Sequence, residues 1–327
     1  MNTPLKKKIK YSRQNKLAGY FGKKYGEFLY SGSLALEVAL KCADVQKNDY
    51  VLIPNHVCYR VLSSVIRMGA RPIIVTPSNG YILDKFEIEN VIKKYPVKAI
   101  ILVHNLGLPV EIKSIKKVCP KNVTIIEDAA QSWQLKSKDN EIGRFSDYVV
   151  TSFGISKPLS QGIGGAIFSN TEYFRTFLDD YSRDSRENKK ILLPYVLPDS
   201  TNIDVDELIK TANKNITHQR LIADCLTKEL KKSGFKFWEL QPGDQATWHR
   251  FPIWTEKREL YEKAIKTAND YLVNYELPHK ISLDNLPLAT NNLSIHVGNT
   301  IKKYYHINIK TKQNSLINIQ KWTKSLK

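Results

Sequence analysis

Residues 147–170, DYVVTSFGISKPLSQGIGGAIFSN, hold a single lysine, Lys157, between two apolar strand-like runs, Tyr148 to Val150 and Ala166 to Phe168. A lysine so placed has two chemical uses. It can hold an anion as a point charge, or, where burial and neighbours lower its pKa, it can condense with a carbonyl as a Schiff base. The glycines that follow, Gly162, Gly164 and Gly165, would let backbone approach a bulky ligand closely. An ordinary exposed loop lysine is the alternative, so Lys157 gains meaning only from groups elsewhere that complete a site.

Two such groups stand out. Asp128 stands two residues after the end of the strand-like run Val123 to Ile126. A carboxylate at the end of a buried strand is costly unless it faces a cation or a proton donor, and the competing role is an N-cap for the Ala-Ala-Gln turn. Farther upstream, Ser31-Gly32-Ser33 opens a strongly helix-forming segment, Leu34 to Ala43. Free N–H groups and a hydroxyl at the positive end of a helix make a phosphate site, although a plain N-cap at Ser31 or Ser33 would use the same residues.

The elements that must position these groups alternate. Val51 to Pro54, Pro72 to Thr76, Ala99 to His104 and Val123 to Ile126 read as buried strands. Tyr59 to Met68, with Gly69 as C-cap, Asp84 to Lys94 and Ile112 to Val118 read as helices between them, and Leu17 to Phe28 also shows apolar residues at helical spacing. Short apolar strands separated by helices imply an α/β fold with a mostly parallel sheet covered on both faces, whose ligands bind at the carboxyl ends of the strands. After a helix from Phe174, an irregular excursion through LLPYVLP and the start of another helix, an amphipathic helix from Ile216 to Lys232 is expected to lead into a smaller unit. The expected division is a large domain over residues 1–215 and a linking helix with a small α+β domain over 216–327.

Length and composition narrow the class. At 327 residues and 42% hydrophobic content the chain is globular, with room for a large and a small domain. Fifty Lys and Arg against 32 Asp and Glu give +18, which suits anionic substrates or reflects a lysine-rich codon bias. The lysines lack interleaved aromatics, so nucleic acid binding is not indicated. Four scattered cysteines without CxxC pairing predict reduced thiols and a cytoplasmic protein, and the seven histidines show no metal-ligand spacing. No signal peptide or membrane span is expected.

Taken together, SGSLALEVAL, VLIPNHVCYRVLSSVIRMGARPIIV, VHNLGLP, IIEDAAQSW, GRFSDYVVTSFGISKPLSQGIGGAIFSN and RFPI resemble, in order and spacing, the DegT/DnrJ/EryC1/StrS family of pyridoxal-phosphate sugar aminotransferases. The resemblance covers essentially the whole chain. It implies an aspartate-aminotransferase-like fold (fold type I), a homodimer with shared active sites, and pyridoxal 5′-phosphate as cofactor. It implies that Gly32, Ser33 and Ser152 hold the cofactor phosphate, that Asp128 pairs with the pyridinium nitrogen, that Gln131 contacts the phenolic oxygen, and that Lys157 binds the cofactor aldehyde and is the catalytic base. The chemistry is consistent with those types: a buried carboxylate keeps a ring nitrogen protonated, and a neutral lysine can shuttle a proton.

The chain departs from the family pattern in places. The segment that usually supplies a ring-stacking aromatic is here Pro54-Asn55-His56-Val57-Cys58-Tyr59, with His56 favoured over Tyr59 as the stacker, and Thr76 stands where an aspartate is common. No GYNYR-like partner segment is recognisable near residues 194–206. The implied reaction is transfer of an amino group from L-glutamate to a keto carbon of a nucleotide-linked (deoxy)sugar, in the making of aminosugars for polysaccharides. Two alternatives are a cofactor-dependent sugar dehydratase, whose relatives replace the lysine with histidine, and a cofactor-binding paralogue acting as regulator or scaffold.

Overall fold

A computed structural model of the chain describes residues 4–138, 140–187, 203–276, 295–297 and 305–326. In chain order the elements are α1 (Pro4–Tyr20), β1 (Tyr25–Leu29), α2 (Gly32–Cys42), β2 (Tyr50–Pro54), α3 (Tyr59–Arg67), β3 (Arg71–Val75), α4 (Lys85–Ile92), β4 (Val97–Val103), α5 (Ile112–Val118) and β5 (Thr124–Asp128). A small hairpin, β6 (Lys136–Ser137) and β7 (Asn140–Glu141), precedes β8 (Tyr148–Ser152), β9 (Gly165–Ser169) and α6 (Tyr173–Glu187). The remainder comprises α7 (Val205–Leu230), β10 (Lys236–Phe237), β11 (Phe251–Thr255), α8 (Arg258–Asp270), β12 (Tyr275–Glu276), β13 (Ile295–Val297), β14 (Tyr305–Ile309) and α9 (Leu316–Ser325).

The large sheet has the order β1-β9-β8-β5-β4-β2-β3-β13. Only β9 runs against the rest, pairing antiparallel with β1 and β8, so the other strands end at one common edge. Successive residues of β2 go to opposite faces: Val51 and Ile53 pack with Leu40 of α2 and Leu62 of α3, while Leu52 packs with Ile88 of α4 and Ile115 of α5. Both faces are covered, which is why these strands read as unbroken apolar runs rather than alternating ones. A second sheet, β10-β11-β14-β12, is wholly antiparallel and packs with α7, α8 and α9 through Leu226, Ala264, Phe251 and Trp322.

Two expected elements differ. The helical reading of Leu17 to Phe28 holds only to Tyr20; Gly22 turns the chain at φ +61 and Tyr25–Leu29 becomes an edge strand paired with Ser169 through Gly165. A partner some 140 residues away decides that conformation, and local spacing does not carry it. The helix start expected after LLPYVLP and the helix expected from Ile216 to Lys232 are one helix, Val205–Leu230, capped by Asp204 through the N–H groups of Asp206 and Glu207. Ile295–Val297, late in the chain, adds to the large sheet beside β3. The LLPYVLP excursion, most of the segment around 194–206 and the irregular stretch before Asn291 lie outside the described residues.

Candidate active site

Lys157 lies in the loop that leaves β8 and returns as β9. The loop is closed by its own backbone: Phe153 N–H donates to Gly164 O at 2.8 Å, Gln161 N–H to Phe153 O at 2.8 Å, and Lys157 N–H to Gly154 O at 2.9 Å. Gly162 and Gly164 take φ of +87 and +108, where a side chain is strained. Gly165 has a different reason. A Cβ there would stand 2.4 Å from Gly32 N and 2.6 Å from Ser31 C, so this glycine admits the start of α2 rather than a bulky ligand.

That close approach sets the start of α2 against β9. Ser31, not Ser33, is the N-cap of α2, its Oγ accepting from Leu34 N–H at 3.2 Å. The first turn of α2, Gly32 and Ser33, lies at the positive end of the helix, where N–H groups suit an anion. Ser152, the last residue of β8, sits against the same turn; a Cβ on Gly32 would meet its Cβ at 3.0 Å. Helix start, Ser152 and the Lys157 loop thus share one corner.

Asp128 ends β5 next to β8, paired with Val150. It is 6% exposed. Oδ1 accepts from Ala130 N–H at 2.9 Å, the turn-capping contact, and the carboxylate makes no other hydrogen bond among the described residues. Burial pushes its pKa above the ordinary carboxylate range, opposed by the Ala130 N–H and by the charge of Lys157. Both readings of Asp128 therefore apply: one oxygen caps a turn, and the group as a whole still calls for a cation.

Gln131 and His56 are fixed by the loop after β4. Leu106, at φ +58, donates its N–H to Gln131 Oε1 at 2.8 Å. With the amide oxygen taken, the NH2 end of Gln131 is the one left to donate to a ligand. Asn105 Nδ2 donates to His56 O at 2.7 Å, tying the loop after β2 to the same place. His56 is half-buried, whereas Tyr59, the other candidate stacker, is 55% exposed beneath the Arg60 guanidinium. Thr76 receives a hydrogen bond from Asn55 Nδ2 at 2.9 Å.

Sequence reasoning did not single out the buried polar set behind Asp128. Glu127, on the opposite side of β5, accepts from His104 Nε2 at 2.7 Å, from Ser146 Oγ at 2.7 Å and from Gly143 N–H at 2.8 Å. His104 Nδ1 accepts from Val110 N–H at 3.1 Å, so Nε2 carries the hydrogen given to Glu127. Both residues lay inside the VHNLG and EDAAQ blocks, and their polar character next to apolar strands was the available signal.

These residues fit pyridoxal phosphate. A helix start beside a serine suits its phosphate, a buried carboxylate of raised proton affinity suits its ring nitrogen, a free amide NH2 suits its phenolic oxygen, and a half-buried lysine within electrostatic reach of that carboxylate suits its aldehyde.

Known proteins bear on this directly. The chain is 25% identical over 277 residues to a UDP-2-acetamido-2-deoxy-3-oxo-D-glucuronate aminotransferase of Pseudomonas aeruginosa, covering 81% of this chain and 76% of that one. In structure it resembles a DegT DnrJ EryC1 StrS aminotransferase from Brucella abortus, with a TM-score of 0.81 and 20% identity over 98% of this chain and 91% of the other. It also resembles an E. coli GDP-4-keto-6-deoxy-D-mannose-3-dehydratase with bound hydrated PLP, with a TM-score of 0.77 and 17% identity over 97% and 91%. Those two likenesses establish the shared fold, fold type I, and leave the reaction to be argued from the site. The model of the DegT/DnrJ/EryC1/StrS aminotransferase family matches residues 12–281, and the chain belongs to that family.

Proposed function

We propose that this protein is an aminotransferase that moves an amino group from L-glutamate to a keto carbon of a nucleotide-linked (deoxy)sugar, with pyridoxal phosphate as its cofactor. The observation that carries the reading is the convergence of Lys157, Asp128 and the start of α2 at one edge of the sheet, with a lysine rather than a histidine in the loop after β8. A histidine there would favour the dehydratase. The aminotransferase of P. aeruginosa supports the sugar-nucleotide class.

When bound, the cofactor supplies an electron sink for the carbon from which a proton is removed. Gly32 and Ser33 N–H groups and the Ser152 hydroxyl hold the phosphate. Asp128 holds the proton on the ring nitrogen, and in doing so meets the cation its buried position lacks. Gln131, its amide oxygen held by Leu106 N–H, would donate from Nε2 to the phenolic oxygen, and His56 would be the residue to stack on the ring. Lys157 would carry the proton removed from the donor Cα, its backbone held in a loop closed by its own hydrogen bonds.

The assembly is a homodimer in this reading. Ile155, 81% exposed, and Ile163, 54% exposed, flank Lys157 on an open surface that a second copy would cover. We place the division between a cofactor domain and a smaller domain near residue 215, within the continuous helix α7, with Ile295–Val297 returning to the large sheet. No described helix is long and apolar enough to cross a membrane, the four cysteines are free, and the net charge of +18 suits a diphosphate-bearing substrate; we place the protein in the cytoplasm, making aminosugars for polysaccharides.

The test is spectroscopic. Protein loaded with pyridoxal phosphate is expected to show the band of lysine-bound cofactor, to lose it with L-glutamate, and to regain it with a nucleotide ketosugar. Lys157→Ala abolishes both changes; a variant that kept full turnover would refute the assignment. Regeneration by simple 2-oxo acids alone would remove the sugar from the reading and leave the aminotransferase.

A further inference from the structure

His249 is 3% exposed, and its Nδ1 makes no hydrogen bond among the described residues. A buried nitrogen without a partner costs the fold stability, so its retention asks for a reason. The backbone around it is held from several sides. Thr247 N–H donates to Gly107 O at 2.9 Å, Arg250 N–H to Leu106 O at 3.1 Å, and Thr311 Oγ1 to Trp248 O. Trp248 adopts φ +55, and a Cβ on Gly107 would stand 2.8 Å from His249 N. The segment is therefore locked against the same loop whose Leu106 N–H aims Gln131.

The surroundings are cationic. Burial holds the His249 pKa well below the usual imidazole range, and the charges of Arg250, Lys157 and Lys312 add to that effect. Lys312 is partly buried, which lowers its own pKa in turn. Arg250 Nη1 donates to the backbone carbonyl of His249 at 2.9 Å, so one guanidinium edge is tied to this segment. A neutral imidazole among positive charges is a hydrogen-bonding group rather than a further charge. An anionic oxygen arriving there would satisfy Nδ1 and compensate the cations together.

We propose that His249, with Arg250 and Lys312, receives a carboxylate of the amino donor, Nδ1–H donating to a carboxylate oxygen beside Lys157. This rests on the aminotransferase reading. A phosphate of the sugar acceptor offers the same oxyanion chemistry, and the two are separated by testing each half-reaction alone.

The experiment uses the loaded enzyme with L-glutamate in single turnover, and calorimetric titration with glutarate, a dicarboxylate that has no amine to react. His249→Leu is expected to raise the glutamate half-saturation and the glutarate Kd about tenfold or more, the factor a hydrogen bond to a charged group carries, with little change in the saturated rate. His249→Asn, whose amide nitrogen overlays Nδ1, is expected to restore most of that binding. Without ligand, His249→Leu melts no lower than wild type, because it removes a buried nitrogen that lacks a partner. Unchanged glutamate and glutarate binding in His249→Leu overturns the proposal, and so does a loss confined to the nucleotide-sugar half-reaction, which would place the phosphate there. Should His249→Leu fail to fold, Lys312→Met decides: weaker glutarate binding supports the site and unchanged binding refutes it. Wild-type enzyme whose cofactor band answers to no amino acid would defeat the aminotransferase reading itself, an outcome separate from the glutarate titration.

Discussion

Asp128→Asn separates catalysis from turn capping, because it is predicted to act in opposite directions with and without cofactor. The replacement is isosteric and keeps an oxygen to accept from Ala130 N–H, so the cap contact survives. Without cofactor, the variant removes a charge from a position 6% exposed. The wild-type carboxyl has a raised folded pKa, so its contribution to stability is fully present below the unfolded value of about 3.9 and is lost as pH rises through the raised folded value. At neutral pH the unloaded wild type bears that cost at about 1.4 kcal/mol for each tenfold in proton affinity, with Lys157 offsetting part of it. Unloaded Asp128→Asn is thus expected to be more stable than wild type at pH 7, with the advantage vanishing toward pH 4. With cofactor bound, the same change breaks a buried charge pair, a loss of about 3–5 kcal/mol, which is roughly 10²–10⁴-fold in cofactor affinity and turnover together. Urea unfolding from pH 4 to 8, with and without pyridoxal phosphate, together with glutamate turnover, reads both arms. Equal shifts in the two states, or unchanged kinetics, would make Asp128 a cap and nothing more.

Further outcomes follow from the same contacts. Gly165→Ala sets a methyl 2.4 Å from Gly32 N and 2.7 Å from Thr151 O, both backbone, so β9 and the start of α2 must separate; a stability loss of about 1–3 kcal/mol or more and weakened cofactor binding are expected in chemical denaturation and cofactor titration, and wild-type affinity would show that the cradle does not depend on this contact. Glu127→Gln places an amide NH2 against either His104 Nε2–H or the Gly143 and Ser146 donors, all of which now point at oxygen. A loss of about 2–4 kcal/mol is expected from its urea midpoint, and an unchanged midpoint would mean the site relaxes freely.

Much of this molecule was legible from residues alone, for reasons that are local. The strand runs through Leu52, Ile100 and Ile125 are apolar at every position because both faces of the sheet are covered, and the helices between them carry their own stops, as Gly69 does at φ +70. Asp128 and Lys157 were visible because a polar group at the end of such a run marks the edge where a parallel sheet binds ligands. The spacing of the blocks then identified the family.

What the sequence left undecided depends on partners distant along the chain. Tyr25–Leu29 is a strand because β9 lies beside it, whereas its own spacing suits a helix. Ser31 rather than Ser33 became the cap because only one hydroxyl reaches Leu34 N–H once the helix is formed. Gly165, placed in the sequence with the glycines that free a loop, serves the contact of β9 with α2 more than 130 residues earlier. His249 could not be joined to the Gln131 loop from sequence, since the link runs through backbone hydrogen bonds between the loop after β4 and a segment some 140 residues later. Residue type and local order set which groups could do chemistry and on which strand ends they sit; long-range packing alone determined which of them share a corner, which oxygens and nitrogens were already taken, and which were left for a ligand.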